Sequence, residues 1–455
     1  MTPVPLPTLP GEPMSSTTLD YLRTHVTGDF ADVLVDVRAS NGCWLVDERD
    51  GSRYLDMSMF YASAPLGHNH PGLFGDPALD ESLLAASRIK PANPDFGTGE
   101  QIRFAAAFMK ALAPDDMPYV FFIDGGALAV ENALKVAFDW KTQHNAQRGV
   151  AVRGSRVLHL ESAFHGRTGY TMSLTNTDPS KTRDFPVFDW PRIPSPAVND
   201  MDRWEEPELL DEELQALAAA RAAFRRYPDE IACFIFEPIQ GEGGDRHLRP
   251  QFLTAMAELC RTHDALFVAD EVQSGFGLTG DRWACDTLGL QPDLIAFGKK
   301  TQVCGVLGGR RVLEVPDNAF RASSRLSSTW GGNLTDMVRA TRILEVVERE
   351  GLFTAARATG EYLLQGLREL AADLPETVSA PRGRGLMCAI TLPTPEVRDR
   401  VITRAFDKHG VIFLGSGERE LRLRPPLSVS ETELATALEA LRDVLKEESA
   451  VEERS

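Results

Sequence analysis

Two short apolar runs, each broken off at charged side chains, constrain the fold of this chain more than any other feature. Ala265-Leu266-Phe267-Val268-Ala269 ends in Asp270-Glu271, and the run that starts twenty-nine residues on, Leu294-Ile295-Ala296-Phe297, ends in Gly298-Lys299-Lys300. Neither run alternates apolar with polar residues, so each reads as a strand buried on both faces, as in a parallel sheet. Side chains just past the carboxyl ends of such strands line the ligand crevice of an open α/β sheet. Taken alone, the pair fits equally an Asp270 that caps a helix and two solvated lysines.

Other stretches repeat the arrangement. Phe121-Phe122-Ile123 leads into Asp124-Gly125-Gly126-Ala127, and helical periodicity follows from Leu128 to His144. Glycines between a strand and a helix let backbone amides approach an anion at the positive helix end, which suits a phosphate. The fuller Walker pattern is absent, which sets nucleoside triphosphates aside. Arg156 to Leu160 is the next strand, and it delivers Phe164-His165-Gly166-Arg167-Thr168. Those side chains could stack on a flat ring and bind a carboxylate, or pack in the core beside a surface ion pair. Ile231 to Phe236 ends in Glu237-Pro238-Ile239-Gln240-Gly241-Glu242-Gly243-Gly244, an acid on a glycine-rich loop. An acid and a lysine at strand ends, near a phosphate cradle, suit pyridoxal phosphate. That cofactor takes a lysine amine for its Schiff base and an anion against its pyridine nitrogen.

Alternation of strand and helix over roughly 115–315 implies a mostly parallel sheet wrapped by helices. Beyond 331 the pattern changes to helices near 336–350, 354–373 and 431–446, with short strands near 385–392 and 421–424. The expected organisation is an arm and hairpin (1–60), a large α/β domain (61–330) and a smaller α+β domain (331–455) that the hairpin joins. Five prolines in the first thirteen residues make an extended arm, and the acidic tail from Lys446 is expected to fray. A net charge of −18 and a pI near 5.0 argue against a nucleic-acid or acidic-membrane surface. Six scattered cysteines form no Cys-x-x-Cys pair, so buried thiols are expected rather than disulfides or a metal site. With no charged-then-apolar leader and no membrane-length apolar run, a cytoplasmic protein is expected.

Taken in order, these strand ends resemble the class III (ω-amino-acid) aminotransferases of pyridoxal-phosphate fold type I, from about residue 30 to 445. The motifs that carry the resemblance are Gly125-Gly126-Ala127, Phe164 to Thr168, Glu237-Pro238 through Gly244, Asp270-Glu271-Val272-Gln273, Gly298-Lys299, Thr329, and Arg422-Leu423-Arg424-Pro425-Pro426-Leu427. The resemblance implies that Lys299 carries the cofactor, with Lys300 next to it as the ambiguity. It implies that Asp270 pairs with the ring nitrogen, Gln273 with the phenolic oxygen, and Gly126 and Ala127 with the phosphate. Many relatives have a hydroxyl residue where this chain has Ala127. Phe164 would stack on the ring with His165 beside it, and Thr329 would reach the phosphate in a neighbouring subunit, implying a homodimer with shared sites. Wording around 122–133, 297–305 and 328–336 resembles the branch that moves the ε-amine of L-lysine to 2-oxoglutarate. The implied products are L-glutamate and 2-aminoadipate 6-semialdehyde, which cyclises to piperideine-6-carboxylate. Ornithine, 4-aminobutyrate and other ω-amines are the alternative donors. In this reading Arg167 takes the distal carboxylate of either substrate and Arg422 the near carboxylate of the oxo-acid. Glu242 covers Arg422 when lysine binds, and its flanking glycines let the loop swing away.

Overall fold

The computed structural model describes residues 18–89, 92 and 95–452, so the proline-rich first thirteen residues lie outside the described part. A seven-stranded sheet dominates it, in the order Tyr119–Ile123, Cys304–Gly308, Leu294–Phe297, Leu266–Asp270, Ile231–Phe236, Arg156–Leu160, Arg192–Ile193. All pairings are parallel except those of Cys304–Gly308, which runs antiparallel to both neighbours. The three central runs, Ile231–Phe236, Leu266–Asp270 and Leu294–Phe297, are buried throughout. Alternate residues serve opposite faces. Phe234, Phe236, Phe267, Ile295 and Phe297 enter one apolar cluster, while Cys233, Ile235, Leu266, Val268, Leu294 and Ala296 enter another. The second is closed by Val130, Leu134, Ala137 and Trp140 of the helix Gly126–Gln147. An unbroken apolar run is thus satisfied only with a layer on each face, and that layering leaves the strand ends as the open edge.

Beside it lies a four-stranded antiparallel sheet, Ser379–Arg384, Met387–Thr391, Glu420–Leu423 and Leu414–Ser416, in that order. The N-terminal hairpin, Trp44–Val46 with Arg53–Asp56, pairs in parallel with Val411–Ile412. Two features differ from the sequence expectation. The helix Pro395–His409 was not anticipated, because charged residues from Glu396 to Arg404 mask its stripe of Val397, Val401 and Ala405. Its ends follow the usual signals: Thr394 caps Val397 N–H, Pro395 stands in the first turn and Gly410 closes it in the left-handed region. The tail does not fray at Lys446; the helix Glu431–Glu452 continues, anchored by buried Glu448 between Arg400 and Arg404. Among the described residues, no helix is long and apolar enough to cross a membrane.

Candidate active site

Five parallel strands deliver their ends to one crevice. Tyr119–Ile123 leads to Gly125, whose φ of +99° begins the turn into a 22-residue helix. The first helical bond is from Ala129 N–H to the Gly125 carbonyl, so the Gly126, Ala127 and Leu128 amides precede the ladder and are free to meet an anion. A side chain at 126 has no room: its Cβ would stand 2.8 Å from Val272 Cγ1.

Asp270 ends its strand almost fully buried, with Oδ1 accepting Val272 N–H at 3.1 Å and Oδ2 lying 2.7 Å from His165 Nδ1. His165 therefore stands against the carboxylate, and its other ring nitrogen is buried without a partner among the described residues. Glu237, on the next strand end, accepts Phe164 N–H at 2.9 Å. Burial, reinforced by the nearby negative charge of Asp270, pushes its carboxyl well above the usual range.

The two lysines at 299 and 300 separate cleanly. Lys300 is buried and donates to the Gln273 carbonyl at 2.6 Å, which makes it a structural tie between two strand ends. Lys299 sits in the left-handed region at φ +53°, an uncommon conformation for a lysine, and no hydrogen bond ties its amine within the described residues. Burial, together with the positive charges of Arg422 and Arg424, brings its pKa down to about 8, against the opposing pull of Asp270 and Glu237. A substantial neutral fraction at physiological pH is what a nucleophilic amine requires.

Arg422 reaches the crevice from the middle of the smaller sheet, in register with Ala389 and Leu414. It is 2 % exposed, and its Nη2 donates to Glu242 Oε2 at 3.0 Å. Its Nε and Nη1 are buried with no partner among the described residues. A buried guanidinium with two unused donors is costly unless an anion completes it. The other oxygen of Glu242, Oε1, accepts from Lys181 Nζ at 2.7 Å. Burial alone would raise the Glu242 carboxyl, but Arg422 and Lys181 together hold it below the usual range.

The glycines around Glu242 stand in crowded surroundings. A Cβ at Gly241 would lie 2.1 Å from Gln273 Oε1, and one at Gly243 would lie 2.0 Å from the Ser162 carbonyl. Gly417 N–H donates to the Glu242 carbonyl at 3.0 Å. Arg382, fully buried, donates to the Gly244 and Asp245 carbonyls at 2.7 and 2.8 Å, while Arg424 pairs with the Asp245 carboxylate. Neighbouring atoms crowd Gly241 and Gly243, Gly244 stands at φ +112°, and the carbonyls of Glu242, Gly244 and Asp245 are all held by hydrogen bonds.

A left-handed turn closes one side of the crevice. Met59, Phe60, Tyr61 and Ala62 all have φ between +44° and +63°, a conformation that costs roughly 1–2 kcal/mol per residue. Asp56 Oδ1 holds it by accepting from Ser58 N–H, Ser58 Oγ and Met59 N–H. Gln302 Nε2 ties the turn to the lysine segment by donating to the Ser63 carbonyl at 2.8 Å and to that of Lys299 at 3.2 Å. The Tyr61 ring lies 5.9 Å from the Arg422 guanidinium carbon.

The structure thus brings together Lys299, Asp270, His165, Phe164, Gln273, Glu242, Arg422 and the Gly126–Ala127 amides. Arg167 and Thr329 are exposed, and among the described residues neither bonds to these groups. The sequence pattern assigns no role to Arg424 and gives no sign of Lys181 or the left-handed turn. Lys181 ends the short turn Pro179–Lys181, where nothing local distinguishes it from a solvated lysine. The donor set fits pyridoxal phosphate: free amides for a phosphate, a buried acid for a protonated ring nitrogen, and a lysine amine held partly neutral.

The profile of the family described as Aminotransferase class-III matches residues 28–445. The chain is 54% identical over 438 residues to the L-lysine-epsilon aminotransferase of Amycolatopsis lactamdurans, covering 96% of this chain and 97% of the relative. It is 53% identical over 420 residues to the enzyme of the same name from Streptomyces clavuligerus, with 92% of each chain covered. Among solved structures it is similar to the lysine aminotransferase from M. tuberculosis in the internal aldimine form. That similarity has a TM-score of 0.90 and 52% identity, over 94% of this chain and 98% of the other.

Proposed function

The chain belongs to the class III aminotransferases, and within that family we propose that it moves the ε-amino group of L-lysine to 2-oxoglutarate. The products are L-glutamate and 2-aminoadipate 6-semialdehyde, which cyclises to piperideine-6-carboxylate. The observation that carries this reading is the covered arginine: Glu242 pairs with a buried Arg422 that retains two unused donors. A site that must accept an amine on an apolar chain and then a dicarboxylate needs a cation that can be masked and unmasked. The names and 54% identity of the relatives support lysine as the donor.

Bound pyridoxal phosphate supplies a carbonyl carbon that carries nitrogen between substrates and a ring that accepts the electrons left by proton removal. Lys299 would hold the cofactor through its amine, and the same amine, when free, would serve as the base for a proton of the lysine ε-carbon. Asp270, fixed by His165 and the Val272 amide, would place its carboxyl group against the ring nitrogen. The Gly126 and Ala127 amides would bind the phosphate, with Phe164 toward the ring and Gln273 toward its phenolic oxygen. Arg167 takes the distal carboxylate of either substrate, and Arg422 the near carboxylate of 2-oxoglutarate. A panel of ω-amines offered with 2-oxoglutarate tests the reading. Lysine should give glutamate plus a cyclic imine at the highest kcat/KM. Preference for ornithine or 4-aminobutyrate would reassign the donor.

We also read the enzyme as a cytoplasmic homodimer. Six buried cysteines without a disulfide fit a reducing compartment. Exposed Thr329 is read as reaching the phosphate in the neighbouring subunit, with residues 61–330 forming the cofactor-holding domain. Mixing Lys299→Ala with Thr329→Ala subunits should restore activity, because one site of each heterodimer keeps both groups. Absence of recovery after confirmed subunit exchange would refute shared sites.

A further inference from the structure

We propose that Lys181 is the positioning residue that receives Glu242 when a dicarboxylate displaces it from Arg422. This inference rests on the two-substrate reading above and deepens it. Glu242 is already divided between the two cations, one oxygen 3.0 Å from Arg422 Nη2 and the other 2.7 Å from Lys181 Nζ. The two cations differ in setting. Arg422 is 2 % exposed and projects from the smaller sheet, whereas the Lys181 side chain is 20 % exposed and belongs to the turn after the Phe164–Thr168 segment.

When the near carboxylate of a dicarboxylate takes one of the unused donors of Arg422, Nε or Nη1, two carboxylates share one guanidinium, and like charge weakens the hold on Glu242. The loop backbone is held: Gly417 donates to the Glu242 carbonyl and Arg382 to the Gly244 and Asp245 carbonyls. A side-chain rotation leaves all of these bonds intact, and its destination already contacts Glu242. Lys181 is itself oriented, with Nζ 3.3 Å from Thr177 Oγ1 and 5.4 Å from the Phe164 ring centroid. Asp178 fixes its turn by accepting from Ser180 N–H and Oγ, both at 2.8 Å. Glu242 can therefore release Arg422 by breaking one hydrogen bond while keeping the other, and it never stands in a half-buried site without a counter-charge.

The test uses the loaded enzyme and glutarate, a dicarboxylate that lacks the reacting carbonyl. In Lys181→Met, glutarate binding measured by calorimetry should weaken about tenfold, the size of one charge-assisted hydrogen bond. Single-turnover kcat/KM for 2-oxoglutarate should fall by a similar factor, with the lysine half-reaction within about twofold of wild type. Lys181→Arg should restore both. In a Glu242→Ala background, adding Lys181→Met should change neither quantity, because there is no carboxylate left to receive. Equal slowing of both half-reactions, or a full Lys181→Met effect on the Glu242→Ala background, would overturn the proposal. Wild-type turnover of lysine with 2-oxoglutarate tests the underlying reading separately. Its failure would leave the glutarate cycle to judge Lys181 alone.

Discussion

Lys299→Ala is expected to produce a protein that folds and binds the cofactor weakly, shows no visible band removable by borohydride, and performs neither half-reaction. Loss of the proton-moving group alone costs about 10²- to 10⁴-fold, and loss of the covalent anchor adds to it. Lys300→Met provides the contrast. Its amine is committed to the Gln273 carbonyl, so the variant should keep the covalent cofactor while losing about 1–3 kcal/mol of stability from the unsatisfied buried carbonyl. The low pKa of Lys299, about 8, adds a pH signature. Attachment of the cofactor to the empty enzyme requires the neutral amine, so its rate should rise with pH up to about 8 and then level off. Mass spectrometry of the reduced protein that placed the cofactor on Lys300 would reverse this assignment.

Glu242→Gln should divide the two halves of the reaction. Arg422 loses its counter-charge where the apolar chain of lysine must lie. A fully buried broken pair costs 3–5 kcal/mol, but the Glu242 side chain is 28 % exposed and shares two cations, so about 2–3 kcal/mol is expected. That corresponds to roughly thirty- to 150-fold in the lysine half-reaction. The 2-oxoglutarate half should be little affected or faster, because the arginine stands ready. Arg422→Ala should show the opposite bias. Single-turnover absorbance separates the halves, since lysine bleaches the visible band and 2-oxoglutarate restores it. Equal slowing of both by Glu242→Gln would make the carboxylate a structural brace.

The chain reports its sheet plainly because fully buried parallel strands cannot tolerate interruption. The runs at 231–236 and 294–297 coincide with the observed strands residue for residue, and 156–160 does as well. The orientation of Cys304–Gly308 was not legible, since an apolar run between two turns carries no sign of direction. The helix Pro395–His409 was hidden by its charges, although its cap residues were in place. The glycines of the Glu242 loop show a subtler limit. Glycine marks either freedom or crowding, and only neighbours distant in the chain, Gln273 and Ser162, identify crowding here.

By itself, then, the sequence determined which chemistry arrives at the strand ends: Asp270, Lys299, Glu237 and the Gly126 amides follow from local pattern, because a buried strand must end where its first charge can meet the crevice. The tertiary structure decided how those groups are used. Lys299 and Lys300 are adjacent and identical in kind, yet a positive φ at one and a carbonyl 2.6 Å from the other give them separate tasks. Lys181, Glu242 and Arg422 come from a surface turn, a loop and a strand of the smaller sheet, and no local pattern connects them. Their shared carboxylate exists only after the two sheets pack, because electrostatic coupling depends on distance through space and on burial, neither of which the order of residues records.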